Sequence, residues 1–256
     1  MQTIHYFLAA SLLFACTGKK DGQTPLTTAD PVSLYNEIRC EAQPNTLSAG
    51  EKSAGWTLLF DGTTGTSWHG YNQQGMPDCW TLEDGSLTMQ SIGGGEEQDL
   101  ITDKTYKSFA LSLEYKMTQG ANSGVLFHVK EDSAYTFAYE TGPEFQVIDH
   151  ENWPDPLEDV QINGSNYAMY PPVEKPYKPM GEWNRLMLVV EGNKVTQLLN
   201  GVVTVAYEKY SDDWNQRRNS GKWADYPHYG NFDEGHISLQ NHGTKVWYRN
   251  IKLKEL

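Results

Sequence analysis

The 256-residue sequence predicts an all-β protein, a sandwich or jelly roll of two antiparallel sheets. Three observations carry that expectation. Apolar and polar residues alternate with a period of two in many short runs. Gly- and Asn-rich turn signals punctuate the runs. A helical period shows only weakly, around 211–219, where Ser211 is placed to cap a short helix. No internal repeat is present.

The runs can be read in chain order. Phe109, Leu111, Leu113, Tyr115 and Met117 alternate with Ala110, Ser112, Glu114 and Lys116. Val125, Phe127 and Val129 oppose Leu126 and His128, and Phe145 and Val147 oppose Glu144 and Gln146. Residues 186–191 and 195–207 are further strands, with Gly192-Asn193 and Asn200-Gly201 as hairpin signals. Ile237 and Leu239 oppose His236, Ser238, Gln240 and His242, and 246–253 closes the set.

Composition narrows the functions. Acidic residues outnumber basic ones 33 to 20, for a net charge of −13, which argues against nucleic acid as a partner. The hydrophobic fraction of 38% and aromatic fraction of 12% supply a core, so the chain is not disordered as a whole. Three cysteines are too few for a disulfide scaffold or a four-thiolate zinc site. There is no His-Glu-x-x-His, P-loop, Gly-x-Ser-x-Gly or dinucleotide fingerprint, and 93–95 reads as a flexible glycine loop. No cofactor is predicted, and a divalent ion is left open.

The N-terminus reads separately. Residues 4–15 are almost entirely apolar or small, about twelve residues, too short to span a bilayer and of signal-peptide length. They end in Leu13-Phe14-Ala15-Cys16, which resembles the lipobox of bacterial lipoproteins, although no Lys or Arg precedes the apolar run. The expected organisation is a leader at 1–15, a lipidated Cys16 with a tether over 16–54, and one domain over 55–256. The implied location is the cell envelope, anchored by lipid on the periplasmic or outer-membrane side. Within an oxidising compartment Cys40 and Cys79 either pair or remain two free thiols.

The densest polar cluster is 139–153. On a strand over 144–148, Glu144 and Gln146 share one face, and Asp149, His150 and Glu151 stand at its mouth. A carboxylate there among aromatics has a raised pKa and suits general base work; a solvated strand face is the plainer alternative. The spacing Glu144-x-Gln146-x-x-Asp149 is similar to the Glu-x-Asp-x-x-Glu of laminarinase-type glycosidases. An amide in the middle disfavours their two-carboxylate displacement. His128, His236 and His242 are candidate bases or ligands, each equally suited to ordinary structural bonding. Trp68, Trp153, Tyr170 and Trp214 are candidate sugar-stacking rings, although most tryptophans must be core.

Five ordered segments together resemble the 3-keto-disaccharide hydrolase domain of bacterial exported proteins. They are 55–62 (GWTLLFDG), 122–128 (NSGVLFH), 139–149 (YETGPEFQVID), 181–184 (GEWN) and 235–243 (GHISLQNHG) with 246–256 (VWYRNIKLKEL). The resemblance implies a concanavalin-like sandwich. It also implies action on glycosides whose 3-hydroxyl a separate dehydrogenase has oxidised to a ketone. That ketone acidifies the C2 hydrogen, so a base can remove it and the C1 group can leave, with or without rehydration. By resemblance, Glu144 or Asp149 is the base or its orienter and Gln146 binds a hydroxyl. His128, where relatives carry Arg, is an acid/base or polarises the ketone. Tyr139, Trp153, His242 and Arg249 are further substrate-binding candidates. Where relatives show His-Pro-Asp this chain reads Trp153-Pro154-Asp155. The competing readings are a noncatalytic carbohydrate-binding lipoprotein and a laminarinase-like glucan hydrolase.

Overall fold

Period-two runs that are apolar on one face gain most by laying those faces together, and the chain does so as two stacked antiparallel sheets. The computed structural model describes residues 28–38, 43–90 and 98–256. Strands β1 (Thr57–Leu58), β2 (Trp68–Gly70), β3 (Trp80–Glu83), β4 (Ser86–Met89) and β5 (Leu100–Thr102) are short. The longer β6 (Phe109–Met117), β7 (Asn122–Val129) and β8 (Glu144–Ile148) follow. Then come β9 (Asn184–Glu191), β10 (Lys194–Leu199), β11 (Val202–Glu208), β12 (His236–Leu239) and β13 (Val246–Glu255).

One sheet runs β11-β10-β9-β6-β13-β4-β3 with β1 beside β13, and the other runs β2-β5-β12-β7-β8. The predicted alternation holds except at the end of β7, where Val129 packs with Leu126 on the outer face. Leu111, Leu113, Tyr115, Leu188 and Tyr248 of the larger sheet share one core with Val125, Phe127, Phe145, Val147 and Leu239 of the smaller. Asn200-Gly201 turns β10 into β11, with both residues at positive φ as such a tight turn requires. Ser211 caps the helix Asp212–Ser220 by accepting from the Trp214 N–H. Trp214 and Trp223, both fully buried, stack with Tyr170, Tyr207 and Tyr229 in a column that packs the 211–230 segment onto the sandwich. Tyr170, Trp214 and Trp68 are thus core rings and not sugar platforms.

The stretch expected to be a tether over 16–54 is docked on the body wherever it is described. Helix α1 (Pro31–Glu37) sends Leu34 into a second apolar cluster with Ile38, Trp56, Met187, Val189 and Leu198, on the outer side of the larger sheet. Helix α2 (Ala49–Ser53) closes a capping box through Ser48 and Glu51. Its Glu51 meets Lys252 of β13 at 2.7 Å, both side chains fully buried. Burial alone pushes the Glu51 pKa up, but the bonds from Lys252 and Ser48 outweigh it and hold the group below its usual range. Cys16 and Cys40 lie outside the described residues, so the lipidation and the Cys40–Cys79 pairing do too; Cys79 itself is buried. Among the described residues no helix is long and apolar enough to cross a membrane.

Removing one partner of a buried ion pair strands the other. Lys252→Met is expected to lower unfolding free energy by about 3–5 kcal/mol, read from urea denaturation. Glu51→Gln combined with Lys252→Met should recover most of that loss; an additive double loss would contradict the pairing.

Candidate active site

Because Phe145 and Val147 enter the core, Glu144 and Gln146 face the other way, onto the outer face of the five-stranded sheet. Register carries that face across the strands: Glu144 pairs with Leu126, Gln146 with Gly124, and Leu126 with Ser238. The Gln240 N–H donates to the Gly124 carbonyl, and the Leu239–Leu100 pairing brings Gln240 opposite Asp99. Glu144, Gln240 and Asp99 therefore stand on one surface.

Gly124 decides where the Glu144 carboxyl lies. A Cβ at position 124 would sit 2.3 Å from Glu144 Oε1 and 2.7 Å from its Cγ and Cδ. No real Cβ stands so close, so the side chain lies across the glycine, toward Gln240. Glu144 is 3% exposed, and no hydrogen-bond donor among the described residues acts on its carboxyl. Desolvation accordingly raises its pKa to about 8, against the pull of Lys222 and with a further push from Asp99. Lys222 is held by rings: its Nζ lies 5.0 Å from the Tyr139 centroid and 4.6 Å from those of Tyr167 and Trp223. Desolvation there lowers its pKa, and Glu144 draws it back up.

Asp99 is the second carboxyl. It accepts the Asn241 N–H at 2.8 Å, and desolvation raises its pKa to about 7 while that bond lowers it. Asp99 opens on a cavity of about 200 Å³. Tyr71, Thr136, Phe137 and Tyr139 form one part of its wall, and Gln240, Asn241 and His242 the other. Adjacent strands are about 4.8 Å apart, so Asp99 and Gly124 are separated by roughly 10 Å across β12, a span fitting one sugar ring with its substituents.

The candidates read from sequence divide into two groups. Tyr139 and His242 line the cavity, Glu144 shares its sheet face without lining it, and Trp153 lies edge-on to His242 at 6.3 Å. Gln146 shares the face of Glu144 but turns its Oε1 back to accept the Val147 N–H. The others do not join. Asp149 caps a turn, accepting from the Gly120 N–H at 2.8 Å and from Asn152 Nδ2. Arg249 lies on the outer face of the larger sheet, bonded to Glu114 at 2.8 Å and stacked 3.8 Å over Trp183.

His128 requires the largest correction. It has a φ of 52°, and the β7–β12 register shifts beside it, so a bulge turns the ring into the interior against Phe109 and Phe127. It is thus on the opposite side of the sheet from Glu144, and the two share no site. Its Nε2 lies 2.8 Å from the Lys107 carbonyl and must donate, which leaves Nδ1 facing Lys209 Nζ at 3.4 Å. Burial, with Lys209 adding to it, lowers the His128 pKa to about 4.

Sequence reasoning passed over Asp99, which stands between a glycine loop and a two-residue apolar run. Its partner Gln240 was on the predicted outward face and not singled out. Among the described residues no group of three or more His, Cys, Asp or Glu side chains is placed to hold a metal ion.

A two-sheet sandwich with a buried and a half-buried carboxyl on one outer face defines a class of domain, and comparison identifies the family. The chain belongs to the 3-keto-alpha-glucoside-1,2-lyase-like domain family, whose profile matches residues 55–254. It is 30% identical to a 3-keto-disaccharide hydrolase of Bacteroides thetaiotaomicron, across 97% of this chain and 96% of that one. A crystal structure from Parabacteroides distasonis, provisionally described as a glycosyl hydrolase, superposes with a TM-score of 0.79 at 39% identity. It covers 84% of this chain and 100% of that one. A second structure from that organism, described in the same provisional way, shares the fold at a TM-score of 0.59 and 21% identity, over 78% and 99% of the two chains.

Carboxyl-carbon NMR should show Asp99 titrating near pH 7 and Glu144 near pH 8. Gly124→Ala should return the displaced Glu144 toward the ordinary carboxylate range; an unchanged titration in a folded variant would contradict the packing argument.

Proposed function

We propose that this chain is a glycoside-cleaving enzyme acting on sugars that carry a ketone at C3, and that Asp99 and Glu144 divide its acid–base work. The observation that carries this reading is the placing of two carboxyls, Asp99 and Glu144, on one sheet face, with Asp99 opening on a cavity; desolvation, which raises the pKa of both, supports it. The names of the family and of its Bacteroides relative support the substrate class.

The different surroundings of the two groups assign their roles. Asp99 has an N–H to stabilise its anion, so it ionises first and serves as base. Glu144 has no such donor and stays protonated longer, so it serves as acid. Asp99 takes the C2 proton, and the C–H electrons enter an enolate with the C3 carbonyl. The enolate collapses, C1=C2 forms, the C1–O bond breaks, and Glu144 protonates the departing oxygen. Asp99 is then protonated and Glu144 ionised, which is the state needed to add water. Glu144 removes a proton from water as its oxygen attacks C1, and Asp99 returns a proton to C2. The free 3-keto sugar results, and both groups are reset. Lyase and net hydrolase outcomes differ only in whether the intermediate leaves before water adds. Tyr139, Gln240 and His242 are placed to hold hydroxyls around the ring.

The leader and Cys16 support an envelope location through a lipid anchor, where a separate dehydrogenase would supply the oxidised sugar.

Paired glucosides, oxidised and unoxidised at C3, test the reading by mass spectrometry. Turnover of the oxidised glucoside alone is expected. Asp99→Asn and Glu144→Gln should each lower kcat about 10²–10⁴-fold. The pH profile of kcat/KM should rise as Asp99 ionises near 7 and fall as Glu144 loses its proton near 8. Binding of the sugar without turnover would overturn the reaction and favour a carbohydrate-binding role.

A further inference from the structure

We infer that Phe137 is the platform for the leaving group, and that the site is built for a ring at C1, a second pyranose or an aryl group, in preference to a small alkyl. This rests on the proposed cleavage of 3-keto-glycosides and adds which glycosides the site prefers.

Phe137 is 50% exposed, an unusual state for a phenylalanine on the wall of a polar cavity. It is also held in place. Its N–H donates to Glu140 Oε1 at 2.8 Å, and its ring stacks on Tyr139 at 5.0 Å with planes 9° apart. Tyr139 is fixed in turn, edge-on to Tyr226 at 5.7 Å and beneath the Lys222 ammonium. One face of the Phe137 ring is thus used by Tyr139, and its exposed area is what remains beside the cavity. Gln240, Asn241 and His242 supply a polar part of the same lining.

An apolar ring and hydrogen-bonding groups lining one cavity match the two characters of a pyranose, whose C–H face stacks on aromatics while its edge hydroxyls bond to amides. The cavity of about 200 Å³ accommodates about one ring, and Phe137 stands at its exposed edge, where a second would extend. Because both platform rings are already ordered, stacking requires little additional ordering of side chains.

The test compares a disaccharide oxidised at C3 of its non-reducing sugar with methyl 3-keto-glucoside. Wild-type protein should prefer the disaccharide in kcat/KM, and Phe137→Ala should lower that preference about tenfold, with Phe137→Tyr restoring it. An unchanged preference in Phe137→Ala would overturn the inference. If wild-type protein turns over neither substrate, the cleavage reading itself fails and calorimetry decides the platform separately. Weaker binding of the unoxidised disaccharide to Phe137→Ala, by about tenfold, would uphold the platform, and unchanged binding would overturn it.

Discussion

The carboxyl of Glu144 occupies the volume that any side chain at position 124 would claim, and the chemistry of the site depends on that substitution of one group for another. Glycine in a strand interior is usually a weakness, because it packs nothing and costs more chain entropy to fix. Here it lets a neighbouring strand lay a carboxyl across the sheet without hydrogen-bond donors. A carboxylate largely removed from water and without donors prefers its proton, and this places Glu144 in the range useful to a general acid. Asp99 is desolvated too but keeps one backbone donor, so the two groups separate by a small step.

The rest of the sandwich keeps this arrangement in register. The stacked column of Tyr170, Tyr207, Trp214, Tyr229 and Trp223 fixes the segment that carries Lys222 over Tyr139. The free edge of β8 is covered by the 164–167 loop, whose backbone bonds to Gln146 and Glu144. On the opposite sheet, α1 and α2 cover apolar surface that would otherwise face water. A slip of one residue in β8 would carry Glu144 to the core side, and one in β7 would move Gly124 from beneath it.

The strands and the facing of Glu144 were legible because a period of two is a local signal. The family was legible because five motifs recur in order. What sequence could not supply was the effect of features that break the period. The bulge at His128 changes the side on which its ring lies, and nothing in the alternation of 125–129 announces it. Asp149 and Arg249 belong to recognisable segments, but a turn cap and an ion pair with Glu114 employ them. Asp99 gave no signal beyond one acid before two apolar residues, because its role depends on strands that meet it from far along the chain. The residues at 28–38 and 43–54 carry only one short apolar stretch and read as a tether, yet a few apolar anchors and one buried ion pair dock them.

The most direct test of the two-carboxyl account is the fate of the hydrogen at C2. A 3-keto-glucoside cleaved in deuterium oxide should yield a 3-keto sugar carrying solvent deuterium at C2, since the Asp99 carboxyl that removes the hydrogen is half-buried and open to the cavity and exchanges with solvent before it returns one. Product that keeps its original hydrogen at C2 would mean that C1 is attacked directly, and would contradict the account.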